Sequence, residues 1–92
     1  MHSTSVFVYS SSVMKLDLHA ERVEEAINRV ERFLDEATFR RESEVILIHG
    51  HGKGLLKKAV RDYLSTSPYS AGFRPGYPQE GGDGATVVTL RE

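Results

Sequence analysis

Histidines, an aspartate and closely spaced glycines stand directly after two apolar segments of the chain. Asp17 and His19 follow the first segment, and His49 and His51 belong to the run His-Gly-His-Gly-Lys-Gly at 49–54. An imidazole can accept or donate a proton near neutral pH, and a carboxylate two residues away can orient the ring and favour its charged form. These residue types suit proton transfer, and a glycine-rich backbone suits the close approach of a ligand.

Two patterns of apolar residues predict the elements that position these groups. Residues 13–19 alternate between apolar and polar side chains, which predicts a strand that ends near His19. An amphipathic helix is predicted next, because apolar residues recur at intervals of three and four: Val23, Ala26, Ile27, Val30, Phe33, Leu34 and Ala37. Within it, the order of Glu25 and Arg29 predicts a helical ion pair. The apolar run at 45–48 predicts a second strand, covered on both faces.

The second half of the chain predicts one more helix and two more strands. Apolar positions over Leu56–Leu64 indicate a helix that stops before Pro68, because proline cannot continue it. Phe73–Arg74 predicts a brief edge strand that Pro75 ends, and the β-branched run at 85–90 predicts the last strand. The resulting order β-α-β-α-β-β predicts an α/β domain in which helices cover a mixed four-stranded sheet. Its first β-α-β unit is expected to be parallel and right-handed.

Parallel pairing predicts that the two chemical segments meet. The carboxyl ends of parallel strands lie at one edge of a sheet, so His19 and His49 are expected at the same edge, where open α/β sheets bind ligands. The glycines leave the backbone bare there, and free amides at the start of the following helix can bind an anion such as phosphate. A basic stripe is predicted to lead away from this loop, since cations recur every four residues: Lys53, Lys57 and Arg61.

Other interpretations of the same residues remain open at this point. The glycine spacing is G-x-G-x-G with leucine at position 55, which argues against a dinucleotide-binding loop, and the P-loop pattern is missing from the sequence. The loop is also compatible with a turn that only lets a helix pack closely on a sheet. Asp17, His19, His49 and His51 are suitable metal ligands, but the glycines around His51 argue against a tight structural zinc site.

Length and composition limit the class of protein. The chain has 92 residues, which predicts one domain, and its formal charge of −1 argues against binding nucleic acid through bulk charge. Cysteine is absent, which excludes disulfides and thiolate chemistry. The sequence shows neither a long apolar span nor a secretory signal, and we expect a cytoplasmic protein without membrane contact. The serine-rich residues 1–12 predict a linker or a short extra strand, and residues 13–92 the domain.

The motifs resemble a known family. The segments "LDLHAERVEEAI", "VILIHGHGKGLLKKAVRDYL", "FRP" and "EGGDGATVVTL" are similar to the small MutS-related (Smr) domain, from about Lys15 to Leu90. The arrangement resembles the copy at the C-terminus of a bacterial MutS paralogue linked to recombination suppression and ribosome rescue. The resemblance implies a two-layer α/β sandwich similar to the C-terminal domain of translation initiation factor three. It also implies an endonuclease that nicks DNA or cuts RNA with little sequence specificity.

The resemblance also assigns residues. The family's motifs L-D-x-H and H-G-x-G-x-G match residues 16–19 and 49–54 of this sequence. The family's functional motif positions therefore correspond to Asp17, His19, His49, Gly50, Gly52 and Gly54. We expect Asp17, His19 and His49 to be catalytic. Phosphate or nucleic-acid binding is expected of Gly50, His51, Gly52, Lys53, Gly54, Lys57, Arg61, Arg74 and Gly82. Two departures stand out: Ala20 occupies a position where many members have glycine, and His51 one where many have lysine.

Partners and cofactors follow from the same resemblance. The expected partner is DNA or RNA, branched or single-stranded, and the ribosome is a further candidate within a larger parent chain. No residue is assigned as a metal ligand, and Mg²⁺ or Mn²⁺ stays open as a cofactor. The rival hypothesis is a module that binds DNA, RNA or the ribosome without cleaving it. A third hypothesis is a structural domain that recruits partner proteins.

Overall fold

The structure is a computed structural model that describes residues 13–92. The linker or extra strand predicted for residues 1–12 lies outside the described residues. The elements are β1 (Met14–Asp17), α1 (Val23–Phe39), β2 (Glu44–Ile48), α2 (Leu55–Thr66), β3 (Ser70–Pro75) and β4 (Ala85–Leu90). Two short 3-10 turns, Pro78–Glu80 and Gly82–Gly84, connect β3 to β4. The predicted β-α-β-α-β-β order is confirmed. Neither helix of this part of the chain is long and apolar enough to span a membrane.

The four strands form one mixed sheet in the order β1-β2-β4-β3. β1 is parallel to β2, whereas β4 is antiparallel to both of its neighbours. The mixed four-stranded sheet and the parallel β1–β2 pair are therefore confirmed. The edge strand β3 is longer than the predicted Phe73–Arg74, because it continues to pair with β4 across a register shift between Ser70 and Gly72.

Both helices pack on one face of the sheet and form the main core with it. Leu18, Leu34, Leu47 and Val88 are fully buried there. On the opposite face the β3–β4 connection covers a smaller apolar cluster, and a Cβ placed on Gly81 would lie 3.0 Å from the Cβ of Ala85. Strand β2 is therefore buried on both faces, as its continuous apolar run predicts.

One edge of the sheet collects the ends of three strands and the start of the fourth. The register places Asp17 beside Ile48, Ile48 beside Ala85, and Pro75 beside Thr86. The segments at 18–22, 49–54 and 76–84 therefore all lie at this edge, which is called the site edge below. The predicted meeting of the two histidine-bearing strand ends is thus present in the backbone.

The main core predicts a large cost for truncation at α1. Leu34→Ala removes a fully buried side chain, so we expect the free energy of unfolding to fall by about 2–5 kcal/mol in urea titrations. Leu55→Ala is the matched control, because Leu55 is 69% exposed and its loss is expected to change stability by less than about 0.5 kcal/mol. Equal losses in the two variants would contradict this packing.

Candidate functional site

The turn after β1 presents a carboxylate–imidazole pair to solvent. Asp17 Oδ1 accepts a hydrogen bond from the backbone N–H of His19 at 3.0 Å and lies 2.7 Å from His19 Nδ1. Both hydrogen bonds lower the pKa of Asp17 below its ordinary value of 3.8, and the bond to the His19 side chain has the larger effect. An ionised carboxylate can only accept, so Nδ1 carries the proton. The other ring nitrogen, Nε2, has no hydrogen-bond partner within residues 13–92.

This turn is held in place from both sides. Leu18 is buried, and its N–H donates to the Ile48 carbonyl at 2.7 Å. Arg29 of α1 pairs with Glu21 and donates to the Asp17 carbonyl at 3.4 Å, so the predicted Glu25–Arg29 pair is wrong. Ala20 has φ +67°, a left-handed conformation that costs a residue with a Cβ about 1–2 kcal/mol. Position 20 therefore favours glycine, the residue that many members of the resembling family have there.

The glycine loop fits between this turn and the start of β4. Gly50 has φ +82°, and a Cβ there would lie 3.3 Å from the Cβ of His19. The N–H groups of His49 and Gly50 both donate to the Gly84 carbonyl, at 3.0 and 2.9 Å. A Cβ on Gly84 would lie only 2.8 Å from Nε2 of His51, so the His51 ring packs directly on this glycine. The three segments at the site edge are therefore in contact.

His49 is buried, and both of its ring nitrogens are engaged. The residue is 5% exposed; Nδ1 lies 3.0 Å from the Gly50 carbonyl and Nε2 lies 2.9 Å from Thr86 Oγ1. Because a carbonyl only accepts, Nδ1 donates, and the neutral ring therefore accepts from the Thr86 hydroxyl at Nε2. Burial, and then the charges of Arg61 and Lys57, lower the pKa of His49 below its ordinary value of 6.5. His49 is thus held as a neutral ring with a fixed tautomer.

The predicted basic stripe is divided among three different environments. Arg61 turns inward, where Nε donates to Thr86 Oγ1 at 3.0 Å and Nη2 is buried without a partner in residues 13–92. Lys57 bonds Asp83 at 2.8 Å, which lowers the pKa of that carboxyl, while Lys53 is exposed. The structure therefore leaves Lys53 as the exposed cation of the predicted stripe.

The remaining predicted residues lie in or beside the β3–β4 connection. Arg74 donates to both carboxylate oxygens of Glu80, at 2.9 and 3.2 Å, and its guanidinium lies 4.1 Å from the centre of the Tyr77 ring. Gly82 lies in the second turn with φ +59°. The functional roles predicted for Arg74 and Gly82 stay predictions. Sequence reasoning missed Thr86 and Tyr77, although a polar residue at a core-facing position of the last strand was a signal for Thr86.

A cleft of about 250 Å³ opens beside the glycine loop. Its lining comprises Ala20, Glu21, His49, Gly50, Gly52, Lys53, Gly54, Leu55, Leu56 and Lys57. Gly54 is the N-cap residue of α2, and its carbonyl accepts a hydrogen bond from the N–H of Lys58. No side chain within residues 13–92 caps the amides of the first helical turn. These free amides carry partial positive charge and suit an anion.

A larger hollow of about 490 Å³ lies at the opposite edge, lined by Thr38, Arg41, Glu42, Ser43, Arg91 and Glu92. It contains none of the predicted residues. The smaller cleft, where the motifs meet, is therefore the candidate site.

The arrangement does not assemble a protein-only metal site. Within residues 13–92, no three His, Asp or Glu side chains are grouped closely enough to hold an ion. Asp17 and His19 bond each other, and both ring nitrogens of His49 are occupied. The four-ligand cluster considered from the sequence is thus not formed in this part of the chain.

Thr86 is expected to stabilise the domain through its hydroxyl. Thr86→Val leaves Nε of Arg61 and Nε2 of His49 without a partner, so we expect the free energy of unfolding to fall by about 1–3 kcal/mol in urea titrations. Thr86→Ser keeps the hydroxyl and is expected to lose much less. Equal stability of the valine and serine variants would contradict the network.

Stability is also expected to depend on pH through His49. Since burial lowers its folded-state pKa below 6.5, the unfolded chain takes up a proton at His49 before the folded domain does. The free energy of unfolding therefore falls as the pH drops below about 6.5, and it is measured by urea unfolding at about pH 7.5 and about pH 5.5. His49→Asn is expected to lose this dependence and His51→Asn to keep it. If the free energy of unfolding of His49→Asn fell between the two pH values as much as that of the wild type, His49 would not be the group responsible.

Comparisons with known proteins agree with this fold. A relative named Endonuclease MutS2 from Anaeromyxobacter sp. (strain Fw109-5) is 52% identical over 77 residues, covering 84% of this chain and 10% of the relative. Another of that name, from Brevibacillus brevis, is 42% identical over 89 residues, covering 96% of this chain and 11% of the relative. The chain thus spans about a tenth of the length of these curated relatives.

Solved structures match as well. The Smr domain of Thermus thermophilus MutS2 superimposes with a TM-score of 0.84 at 39% identity, covering 87% of this chain and all of that one. The SMR domain of NEDD4-binding protein 2 gives a TM-score of 0.67 at 28% identity, covering 89% and 90% of the two chains. The Smr domain family model matches residues 16–91. With both sequence motifs and the fold in agreement, the chain belongs to the Smr domain family.

Proposed function

We propose that this domain cleaves phosphodiester bonds in DNA or RNA, and that His19 transfers the proton. The observation that carries the proposal is the exposed Asp17–His19 pair, in which Nε2 of His19 has no partner within residues 13–92, and which lies next to Gly50 of the cleft lining. Membership of the Smr family and the name of the relatives, Endonuclease MutS2, support the same activity.

The scissile phosphate would bind at the start of α2. The uncapped amides after Gly54 can donate to phosphoryl oxygens, and the helix dipole favours negative charge there. Lys57 lines the cleft but is paired with Asp83, so the cationic donor that joins these amides is Lys53, which is exposed in the same lining. These donors would stabilise the charge that grows on the phosphoryl oxygens as the nucleophile attacks.

Proton transfer is then assigned to the exposed histidine. Asp17 holds the proton on Nδ1 of His19, which leaves the lone pair of Nε2 ready to accept a proton from the attacking water or ribose hydroxyl as its oxygen bonds to phosphorus. The P–O bond to the leaving sugar oxygen breaks, and that oxygen takes a proton from the His19 imidazolium or from water. His49 has a different environment, because its two ring nitrogens already bond the Gly50 carbonyl and Thr86. We propose that His49 positions the glycine loop. For His49 to transfer a proton, as expected of a catalytic residue, its bond to Thr86 would have to break.

The identity of the substrate and the need for a metal are further parts of the proposal. Mg²⁺ is commonly held by one or two carboxylates together with substrate phosphates, and Asp17 is an exposed carboxylate beside the cleft that fits this role for Mg²⁺ or Mn²⁺. Such an ion would supply additional charge stabilisation. We propose DNA or RNA as the partner, in the cytoplasm, with ribosome contact as a property of a larger parent chain.

Removing the exposed pair is expected to abolish most activity without unfolding the domain. His19→Ala and Asp17→Asn should lower the rate of nicking of supercoiled plasmid, the histidine variant by about 10²- to 10⁴-fold. The side chains of His19 and Asp17 are 68% and 59% exposed, so thermal unfolding should change little. Asp62→Asn is the matched control, since Asp62 is also exposed and bonds a cation, Lys58, outside the cleft lining.

His49→Gln separates the two roles proposed for that residue. The glutamine amide keeps a donor and an acceptor but cannot shuttle a proton, so activity should fall much less than in His19→Ala if His49 only positions the loop. A loss as large as that of His19→Ala, in a folded variant, identifies His49 as a proton-transfer group. Wild-type rates in both His19→Ala and Asp17→Asn would refute the catalytic proposal.

The rival function is binding without cleavage. The engaged ring nitrogens of His49 favour it, because the site then offers fewer free proton-transfer groups than a paired acid and base require. Binding and cleavage are to be measured separately, with Mg²⁺, with Mn²⁺ and with a chelator. Saturable, salt-sensitive binding with no product under any of these conditions would favour the binding module.

A further inference from the structure

An aromatic side chain stands at the same edge as the glycine loop, although no motif points to it. Tyr77 follows the last residue of β3, Pro75, by two positions, and Pro75 pairs with Thr86 at the site edge. Strands β2 and β3 are separated only by β4, so the ends of these strands lie two strand spacings apart, about 10 Å. The ring lies on the sheet face away from the helices, because it packs on Arg74, which pairs with Val87 of the small apolar cluster. A nucleic-acid strand that crosses the site edge from the glycine loop can therefore reach Tyr77.

The Tyr77 ring is fixed on one side and exposed on the other. The Arg74 guanidinium lies 4.1 Å from the ring centre, and 55% of the residue remains exposed. The backbone of Tyr77 is held by three hydrogen bonds: its N–H donates to Glu80 Oε1 at 2.7 Å, and its carbonyl accepts from Glu80 and Gly82 at 2.8 and 2.9 Å. A large apolar surface is thus held in one orientation toward solvent.

The charge at this surface does not suit a phosphate. Glu80 accepts from both terminal nitrogens of Arg74 and neutralises the guanidinium, which in turn raises the pKa of Arg74 and lowers that of Glu80. A phosphate would have to displace this carboxylate. An uncharged aromatic ring needs no such displacement, because it stacks on the free face of Tyr77 while Arg74 backs the other face.

The same connection is bonded directly to the glycine loop. Its last residue, Gly84, accepts the N–H groups of His49 and Gly50, and Asp83 bonds Lys57 in the cleft wall. These bonds therefore link the connection that carries Tyr77 to the glycine loop across the site edge. The relative position of the connection and the loop is set before any ligand arrives.

We propose that Tyr77, backed by Arg74, is a stacking site for an unpaired nucleobase of the strand whose phosphate binds at the glycine loop. The inference rests on the proposed function and adds to it a side chain that would recognise the expected single-stranded or branched substrate. Bases inside a duplex are stacked on their neighbours and offer no free face, so the site selects single strands, ends and branch points over intact duplex. Base–aromatic stacking is tolerant of sequence, in line with little sequence specificity.

A single tryptophan can report on the stacking, because the sequence has none of its own. In the Tyr77→Trp variant, we expect emission to be quenched by single-stranded oligothymidylate of ~12 nucleotides, a length that covers one single-strand site. An abasic deoxyribose-phosphate chain of the same length should leave emission unchanged. Phe39→Trp is the control, because Phe39 is 85% exposed and lies at the end of α1, away from the site edge.

Affinity gives a second, independent readout. Tyr77→Ala is expected to weaken binding of the oligothymidylate by about 10-fold and to leave binding of the abasic chain unchanged, whereas Tyr77→Phe keeps wild-type affinity for both. If Tyr77 had only a structural role, Tyr77→Ala would weaken the binding of both ligands equally, and this result would overturn the proposal.

The amide signals of residues 49–54, followed by NMR, separate the two possible failures. If oligothymidylate shifts these amides but neither quenches the Tyr77→Trp variant nor distinguishes Tyr77→Ala from wild type, the stacking site is refuted and the proposed function stands. If neither ligand shifts the amides or binds, nucleic-acid binding at the loop and the stacking site are both refuted.

Discussion

Parallel pairing of β1 with β2, in the register that places Asp17 beside Ile48, fixes the position of the chemical groups at the site edge. Side chains alternate along a strand, so a slip of one residue would move Leu18 out of the core and turn Asp17 into it. The buried Leu18 therefore secures the register that exposes the Asp17–His19 pair. Because β4 pairs antiparallel to β2, its first residues arrive at the same edge and complete the site.

A buried polar network adds a second constraint to this geometry. Thr86 of β4 accepts from Arg61 of α2 and bonds His49 after β2, so one hydroxyl joins three elements. Polar groups away from water are costly unless they have partners, so the bonds of Thr86 to Arg61 Nε and His49 Nε2 favour one arrangement over near alternatives, while Nη2 of Arg61 stays without a partner in residues 13–92. The network fixes His49 as a neutral ring and shapes the glycine loop through the Gly50 carbonyl. The two histidines therefore differ in burial and in free nitrogens, and this difference underlies their different proposed roles.

The sequence predicts the elements and the meeting of the motifs better than it predicts side-chain partners. Periodicity located both helices, and parallel topology brought His19 to Gly50, because these features depend on local pattern and general chain geometry. The partners of Lys57 and Arg61 are Asp83 and Thr86, about 25 residues away along the chain, and regular spacing on a helix carries no information about such contacts. For the same reason the local pair expected for Arg29 with Glu25 gave way to Glu21. The predicted length of edge strand β3 was too short, because its additional residues are strand only through pairing with β4, which its own sequence does not indicate.

Local charge pairing bears on how such a domain can recognise nucleic acid. Lys57 and Arg74 are neutralised by Asp83 and Glu80, so of the side chains predicted to bind phosphate, Lys53 is the exposed cation left to release counterions from a phosphate backbone. Backbone amides and an aromatic face act over short range and require an accessible phosphate and an unpaired base. The curated relatives are about ten times as long as this chain, and in a chain of that length a tether would raise the local concentration of the ligand and compensate for a modest affinity of the domain. Under the proposed function, selectivity for exposed strands would follow from the amides and the ring, since a duplex hides its bases from the ring.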